Sequence, residues 1–185
     1  MSKSKLGVSL FILSEANFFA LLIVAYIFFH AYPGEGPTAA TALNVGRTTI
    51  FSILLFASSG TAMLAARGYR AGNRSALLRW LVVTIALGAV FLIGQAREYV
   101  GLYESGVVLN RNLFATTFFT LTGFHGLHVF IGLCALTIVA GLTAAGNMGA
   151  AGPQGEAFES VELYWHFVDA VWVVVFSVVY LWTLF

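Results

Sequence analysis

The sequence is poor in charge. Only 9% of its 185 residues are charged, against about 25% in an average soluble domain, while 59% are hydrophobic. The formal net charge is +1, so the chain lacks the basic excess with which nucleic-acid-binding proteins neutralise phosphates. These two shortages predict an integral membrane protein and argue against nucleic acid as a partner.

The sequence is equally poor in reactive motifs. Its single cysteine, Cys134, lies in an apolar stretch, so neither an internal disulfide nor C-x-x-C metal spacing is available. The P-loop, the nucleophile elbow, the dinucleotide fingerprint and the H-E-x-x-H zinc motif are all absent. We therefore expect no catalytic residue in this chain, and no ability to hold a redox centre or cleave a bond alone.

Long apolar runs are what the sequence has instead. A membrane-spanning helix requires about 20 apolar residues, and five stretches of that order occur. The predicted spans are 7–29, 44–66, 77–96, 113–142 and 162–184. The first exceeds a typical signal-peptide core and no small-x-small cleavage site closes it, so we interpret it as a retained span. The prediction is one all-α membrane domain over residues 1–185, a bundle of five transmembrane helices.

The basic residues predict how the bundle is oriented, because Lys and Arg accumulate in cytoplasmic segments. Placing the N-terminus inside assigns to the cytoplasm Lys3, Lys5, Arg67, Arg70, Arg74 and Arg79. The opposite side then receives Arg47, Arg97 and Arg111. The bias predicts a cytoplasmic N-terminus and an outside C-terminus.

The last predicted span carries ionisable residues in its first two turns. Glu162, His166 and Asp169 are separated by four and then three positions, which places them on one helix face. An ionisable group at the centre of a bilayer costs about 2.5–3.5 kcal/mol on insertion scales. This face must therefore meet protein, water or lipid headgroups, and the span requires partner helices.

The other spans offer suitable partner faces. The second carries Thr48, Ser52, Ser59 and Ala62, and the third carries Thr84, Gly88, Phe91, Gln95 and Glu98. Membrane helices associate through close packing of small residues and through interhelical hydrogen bonds. We expect close helix contacts at Gly60, Gly88, Gly123, Gly126 and Gly132. Just beyond the third span, Arg97 and Glu98 are expected to pair at the membrane interface.

Histidine and glutamate supply the candidate functional residues. His125 and His128 share a face of the fourth span, and with His166 they could ligate a metal or haem iron. The alternative, which we favour, is that these imidazoles are hydrogen-bonded packing elements. Glu15 lies among phenylalanines in the first span. Two readings stay open for it: a carboxyl on a proton or substrate path, or one hydrogen-bonded to a neighbouring helix or lipid headgroup.

Four motifs together resemble subunit III of the haem–copper oxidases. They are Ser14-Glu-x-x-Phe-Phe19, Leu92-x-x-Gln95-x-x-Glu98-Tyr99, Thr122-Gly-Phe-His-Gly-Leu-His-Val129 and Tyr164-Trp-His-Phe-Val-Asp-Ala-Val-Trp172. Their order and spacing match over nearly the whole chain. The family's longer form has two further N-terminal spans, so this chain is similar to the five-span bacterial type.

The resemblance implies a non-catalytic subunit of a proton-pumping terminal oxidase in the bacterial inner membrane. Haem and copper would lie in partner subunits, chiefly subunit I, on which subunit III packs, with subunit II nearby. The complex would reduce oxygen to water with electrons from cytochrome c or quinol. Subunit III binds phospholipid and is thought to assist oxygen and proton supply. In the family, the glutamate matching Glu15 reacts with carbodiimides, and the matching histidines are not metal ligands.

The resulting hypothesis places a polar core, with a possible proton or oxygen path, inside the bundle. Its residues are Glu15, Gln95, His125, His128, Glu162, His166 and Asp169. An accessory subunit of a quinol oxidase or nitric oxide reductase is the first alternative, because the motifs are shared. A free-standing membrane redox protein or a small transporter is the alternative of another class.

Overall fold

The computed structural model describes residues 3–30, 43–108, 113–146 and 153–182, with side chains from Leu6 and from Gly155 in the first and last ranges. Within these ranges all regular structure is helical. The helices are α1 (Lys3–His30), α2 (Val45–Arg70), α3 (Arg74–Glu104), α4 (Leu113–Ala144) and α5 (Pro153–Phe176). The chain continues beyond α5 as a π-helical segment, Ser177–Leu181. All five predicted spans are confirmed as helices long and apolar enough to cross a membrane.

Several helices extend beyond the predicted membrane spans. The third helix begins at Arg74 rather than 77, because the side chain of Asn73 caps it by accepting from the backbone N–H of Ala76. It continues past 96 to Glu104 and ends in a turn at Gly106, whose φ is +78°. The fifth helix begins at Pro153, well before 162, since proline suits a first helical turn. Residues 31–42, which follow the first predicted span, and residues 183–184 at the end of the last lie outside the described ranges.

Helices α2 and α3 form the tightest pair, a hairpin joined by the short turn Ala71–Asn73. Gly72 in this turn has a φ of +65°, which favours glycine. A Cβ at Gly68 would lie 2.8 Å from the backbone nitrogen of Leu77. The absence of a side chain at Gly68 is therefore what lets α3 start directly against the end of α2.

Helix α5 is the most buried element, and it contacts α1, α2 and α4. Its Trp165, Trp172 and Val175 are fully buried. This agrees with the expectation that the last span requires partners on its polar side. Helix α1 is peripheral, and in the described part of the chain its main contacts are with α4 and α5, through an inner face that includes Phe19 and Tyr26.

Two of the predicted close-contact glycines are confirmed, and both receive the same side chain. A Cβ at Gly88 of α3 would lie 2.8 Å from the Trp165 ring, and so would a Cβ at Gly132 of α4. Trp165 of α5 thus fills a notch that two other helices form together. This arrangement explains how so large a side chain fits between three helices.

The other glycine predictions were wrong. Among the described residues, a Cβ at Gly60 or Gly126 would meet nothing within 4 Å, and one at Gly123 would only reach the Tyr99 hydroxyl at 3.7 Å. A contact that was not predicted occurs at Gly94, where a Cβ would lie 2.5 Å from the ring of Phe51. A high glycine content indicates a packed bundle, but which glycines lie at helix contacts depends on which helices are neighbours in that bundle.

Candidate functional site

The side chains of Glu15 in α1 and His128 in α4 form a largely buried hydrogen-bonded pair between the two helices. The Oε2 atom of Glu15 lies 3.0 Å from Nε2 of His128. The other ring nitrogen, Nδ1, lies 2.7 Å from the carbonyl oxygen of Phe124, which can only accept. Nδ1 therefore carries a proton, and the bond to Glu15 requires one further proton, on either the carboxyl or Nε2. The pair is arranged to hold that proton between α1 and α4.

Three of the four sequence motifs meet around this pair. The ring of Phe19 stands edge-on to the His128 ring, with centroids 4.9 Å apart. Tyr164 of α5 donates its hydroxyl to the backbone carbonyl of His128 at 3.1 Å. The structure thus gives Glu15 a hydrogen-bonding partner on a neighbouring helix, which is one of the two interpretations left open for it.

A second polar cluster joins α2 to α5. Nδ1 of His166 lies 3.0 Å from the hydroxyl of Ser59, and that hydroxyl donates to Oδ2 of Asp169. Because the serine has one proton and gives it to the carboxylate, His166 is the donor to Ser59. Its Nε2 lies 3.9 Å from Oε1 of Glu162, one turn earlier. The predicted stripe Glu162, His166 and Asp169 is therefore one face, turned toward Ser59.

This second cluster borders an open groove of about 450 Å³. The groove lies where α1, α2 and α5 approach one another. Its lining includes Ser9, Arg70, Glu159, Glu162, Leu163 and His166. A cation, two carboxyl groups and an apolar side chain thus surround one concave surface at the edge of the bundle.

A third cluster surrounds Glu98 of α3, which is buried. Its Oε1 accepts from Thr48 of α2 at 3.0 Å, and its Oε2 accepts from the hydroxyl of Tyr180 at 2.9 Å. The expected interfacial pair of Arg97 with Glu98 was wrong. Neighbouring residues on a helix point about 100° apart, so Glu98 faces the bundle while Arg97 is exposed.

Gln95 lies one turn before Glu98 on the same buried face. Its Nε2 has no hydrogen-bond partner in the described part of the chain. Nearby, the hydroxyls of Tyr99 and Thr122 lie 2.7 Å apart and link α3 to α4. The predicted polar face of the third span is confirmed by the burial of Thr84, Gly88, Phe91, Gln95 and Glu98.

His125 has a different environment from His128 and His166. Its ring is buried and stacks on Trp172, with centroids 4.6 Å apart. Phe91 and Phe19 stand edge-on to it at 5.9 and 6.4 Å. Neither ring nitrogen has a hydrogen-bond partner among residues 3–30, 43–108, 113–146 and 153–182. His125 therefore packs within an aromatic enclosure, and the expectation that it is hydrogen-bonded was wrong for the described part of the chain.

His125, His128 and His166 accordingly have no hydrogen-bond partner in common within the described ranges. His128 meets Glu15, His166 meets Ser59, and His125 meets aromatic rings. Over the described ranges, no three His, Cys, Asp or Glu side chains come together as a metal site would require. The geometry therefore favours hydrogen-bonded packing for His128 and His166.

Two serines of α2 accept hydrogen bonds from tryptophans of α5, and the sequence predicted only one of these serines as part of a polar face. The indole N–H of Trp172 donates to Ser52 at 2.9 Å, and that of Trp165 donates to Ser58 at 3.0 Å. Ser52 belonged to the predicted stripe and Ser58 did not. The signal was available in principle, because a buried indole N–H usually finds an acceptor.

Comparison with known proteins now decides the family. A family model described as cytochrome c oxidase subunit III matches residues 1–184. The chain belongs to this family. The resemblance seen in the four motifs is thereby confirmed, and the three clusters described above are the polar interior of a subunit III bundle.

Curated relatives carry the same name. Cytochrome c oxidase subunit 3 of Synechocystis sp. is 39% identical over 179 residues, which cover 95% of this chain and 74% of that protein. The subunit 3 of Thermostichus vulcanus is 35% identical and that of Corynebacterium diphtheriae is 35% identical. The matches cover 97% and 94% of this chain, and 88% and 85% of those proteins. The chain is a multi-pass bacterial membrane protein and a subunit of a terminal oxidase complex.

Proposed function

We propose that this chain is the non-catalytic subunit III of a proton-pumping oxidase in the bacterial inner membrane. It packs on subunit I, with subunit II nearby, stabilises subunit I and assists the supply of oxygen and protons. It binds neither haem nor copper, which reside in the partner subunits. Its N-terminus is cytoplasmic and its C-terminus lies outside, an orientation that the bias of Lys and Arg in the loops favours for five spans.

The observation that carries this proposal is that the carboxyl side chains form hydrogen bonds between helices. Glu15 bonds to His128, Glu98 bonds to Thr48 and Tyr180, and Asp169 bonds to Ser59. Each carboxyl joins two or more helices by hydrogen bonds. That pattern supports a scaffold held together by its ionisable groups, and it leaves the oxidation chemistry to other subunits.

The names of the relatives favour cytochrome c over quinol as electron donor of the complex. The three relatives described above are each named cytochrome c oxidase subunit 3. A quinol oxidase or nitric oxide reductase remains the alternative for the shared motifs. A copper-binding cysteine pair in the co-purified subunit II is the expected finding, and its absence would favour the quinol alternative.

A phospholipid is the expected ligand of the groove between α1, α2 and α5. Arg70 suits the phosphate, while Glu162 suits the amine of a zwitterionic headgroup. The exposed side chain of Leu163 continues the lining with an apolar surface for an acyl chain. The charges that line the groove are thus complementary to a zwitterionic headgroup rather than to a purely anionic one.

The role of Glu15 is tested by turnover of the whole complex. We expect Glu15→Ala to leave the initial rate of oxygen reduction largely unchanged and to reduce the number of turnovers that the complex completes before it is inactivated. Glu15→Gln, which retains a hydrogen-bonding group but cannot ionise, separates a structural from a proton-carrying role. An initial rate and an inactivation lifetime equal to those of the unmodified complex in both variants would refute a role in oxygen or proton supply.

A further inference from the structure

The outer face of α1 carries a regular seven-residue pattern. We define the α1 seam as the positions spaced alternately by three and four residues: Gly7, Leu10, Ser14, Asn17, Leu21, Val24 and Phe28. Every member of the seam is exposed. A spacing of this kind is the one with which two helices pack side by side along their length. The pattern runs through almost the whole span.

The seam lies opposite the face that holds α1 to the bundle. At about 100° per residue, Asn17 points away from Glu15, which bonds to α4, and from the buried Phe19 and Tyr26. Only 6% of the most apolar stretch of α1 is buried, against 28% to 56% in the other four spans. The chain's own helices therefore leave this face uncovered.

Asn17 is the residue that distinguishes the seam from an ordinary lipid-facing surface. It lies 14 residues after Lys3 and 13 before His30, which places it about 20 Å from either end of the helix. Its Nδ2 donates one hydrogen bond, to the carbonyl of Leu13 at 2.9 Å. Its Oδ1 accepts none from any residue that the structure describes.

Lipid acyl chains cannot donate a hydrogen bond to Oδ1 of Asn17. An amide left unsatisfied in hydrocarbon is unfavourable, and polar side chains within spans usually face another helix or a water-filled cavity. A polar asparagine in an otherwise apolar seam also fixes the register and the choice of partner in helix pairs. The side chains adjacent to Asn17 along the seam, Ser14 and Leu21, are respectively small and apolar, as a packed interface requires.

We propose that the α1 seam is the docking face for one transmembrane helix of a partner subunit of the oxidase complex. That helix presents a hydrogen-bonding side chain at the level of Asn17. The proposal rests on the proposed function, because membership of a complex of several membrane chains supplies the partner. It goes beyond that function by stating which surface of this chain is used and which side chain sets the register.

The test places a photo-crosslinking amino acid in this chain within the intact complex. It replaces, one at a time, the seam residues Leu10, Leu21 and Val24 and the off-seam α1 residues Ala16 and Ile27. After solubilisation and illumination, we expect adducts of this chain with one partner subunit at the seam positions, at least severalfold stronger than at the off-seam positions. Adducts with a second copy of this chain alone, or with lipid alone, would overturn the proposal.

A substitution pair tests the role of Asn17. Asn17→Leu removes the amide without reducing apolar contact, and we expect detergent to release this chain from the complex about threefold faster, as loss of one membrane hydrogen bond gives. Thr137→Leu is the matched control, since Thr137 is also exposed but its hydroxyl bonds to its own helix at Leu133. Equal release from both variants and the unmodified complex would contradict the role of Asn17.

The design separates this inference from the proposed function. A tagged chain that fails to co-purify with a haem–copper subunit would overturn the proposed function, and the inference with it. Co-purification without periodic adducts along the α1 seam would overturn the inference alone.

Discussion

Each buried carboxyl described here is hydrogen-bonded by a side chain from a different helix, and Glu98 shows the principle most fully. Thr48 donates to it from α2 and Tyr180 donates from the π-helical segment that follows α5. Two hydroxyl donors thus compensate for removing the carboxyl group from water. The π-helical segment Ser177–Leu181 carries Tyr180 to this position, so the irregular end of α5 has a specific bonding role.

Removing the Tyr180 hydroxyl is expected to destabilise the bundle. Tyr180→Phe leaves Oε2 of Glu98 without that donor, and an unsatisfied buried acceptor costs about 1–3 kcal/mol. The measurement is the denaturant dependence of release of this chain from the purified complex. Ser177→Ala is the control, because Ser177 lies in the same segment and its hydroxyl donates to the carbonyl of Val173 in its own helix. Equal effects of the two substitutions would show that the Tyr180–Glu98 bond does not contribute to stability.

At the scale of helices, the packing of α3, α4 and α5 depends on one large side chain in one notch. Trp165 lies between Gly88 and Gly132, and its indole N–H reaches Ser58 of α2. A single residue therefore contacts three other helices. Its complete burial explains why the fifth helix occupies the middle of the contact network.

Filling this notch is expected to separate the helices. A methyl group at Gly132 would lie 2.8 Å from the Trp165 ring, so Gly132→Ala should destabilise the bundle by about 1–3 kcal/mol, the usual result of overpacking. Gly126→Ala is the matched control six residues earlier in α4, where a Cβ meets no other described residue within 4 Å. The control should be neutral, or stabilising by up to about 1 kcal/mol because alanine favours helix.

The stability of the two variants is compared by the same release assay. A loss of stability in Gly126→Ala as large as that in Gly132→Ala would contradict the packing described for Trp165. Such a result would mean that helix propensity or contacts with partner subunits dominate at both positions.

Helix positions and faces could be predicted from the sequence, but helix partners could not. Apolar length predicted five spans, and the spacing of Glu162, His166 and Asp169 predicted a common face that the structure confirms. Periodicity alone does not state which helix lies opposite a face. The partners of Glu15 and Glu98 therefore became known only from the three-dimensional arrangement.

Errors in the prediction have the same origin. Arg97 and Glu98 are adjacent in sequence, and their opposite charges suggested a pair, but the helix turns one outward and the other inward. Likewise Gly126 was expected at a helix contact, whereas Gly94, which receives Phe51, was not. Composition identifies residues capable of a contact, and the arrangement of helices selects among them.

At the scale of the whole molecule, the groove between α1, α2 and α5 predicts a bound lipid. Arg70→Ala removes the cation proposed to hold the phosphate, so we expect the purified complex to retain severalfold less tightly bound phospholipid. Arg67→Ala is the control, because Arg67 is a neighbouring exposed arginine of α2 that is not among the groove residues given above. Lipid extraction followed by mass spectrometry makes the comparison. Equal lipid content in the two variants would contradict the proposed headgroup site.

The central claim is that this chain works as a subunit whose redox chemistry lies in its partners. The most direct measurement is purification of the tagged chain from mild-detergent extracts, with metal analysis and optical spectra before and after it is separated from its partners. We predict haem and copper in the intact complex, with a haem–copper subunit present, and neither metal nor a haem spectrum in the separated chain. Haem or copper retained by the separated chain, or its purification with no haem–copper subunit, would contradict the account.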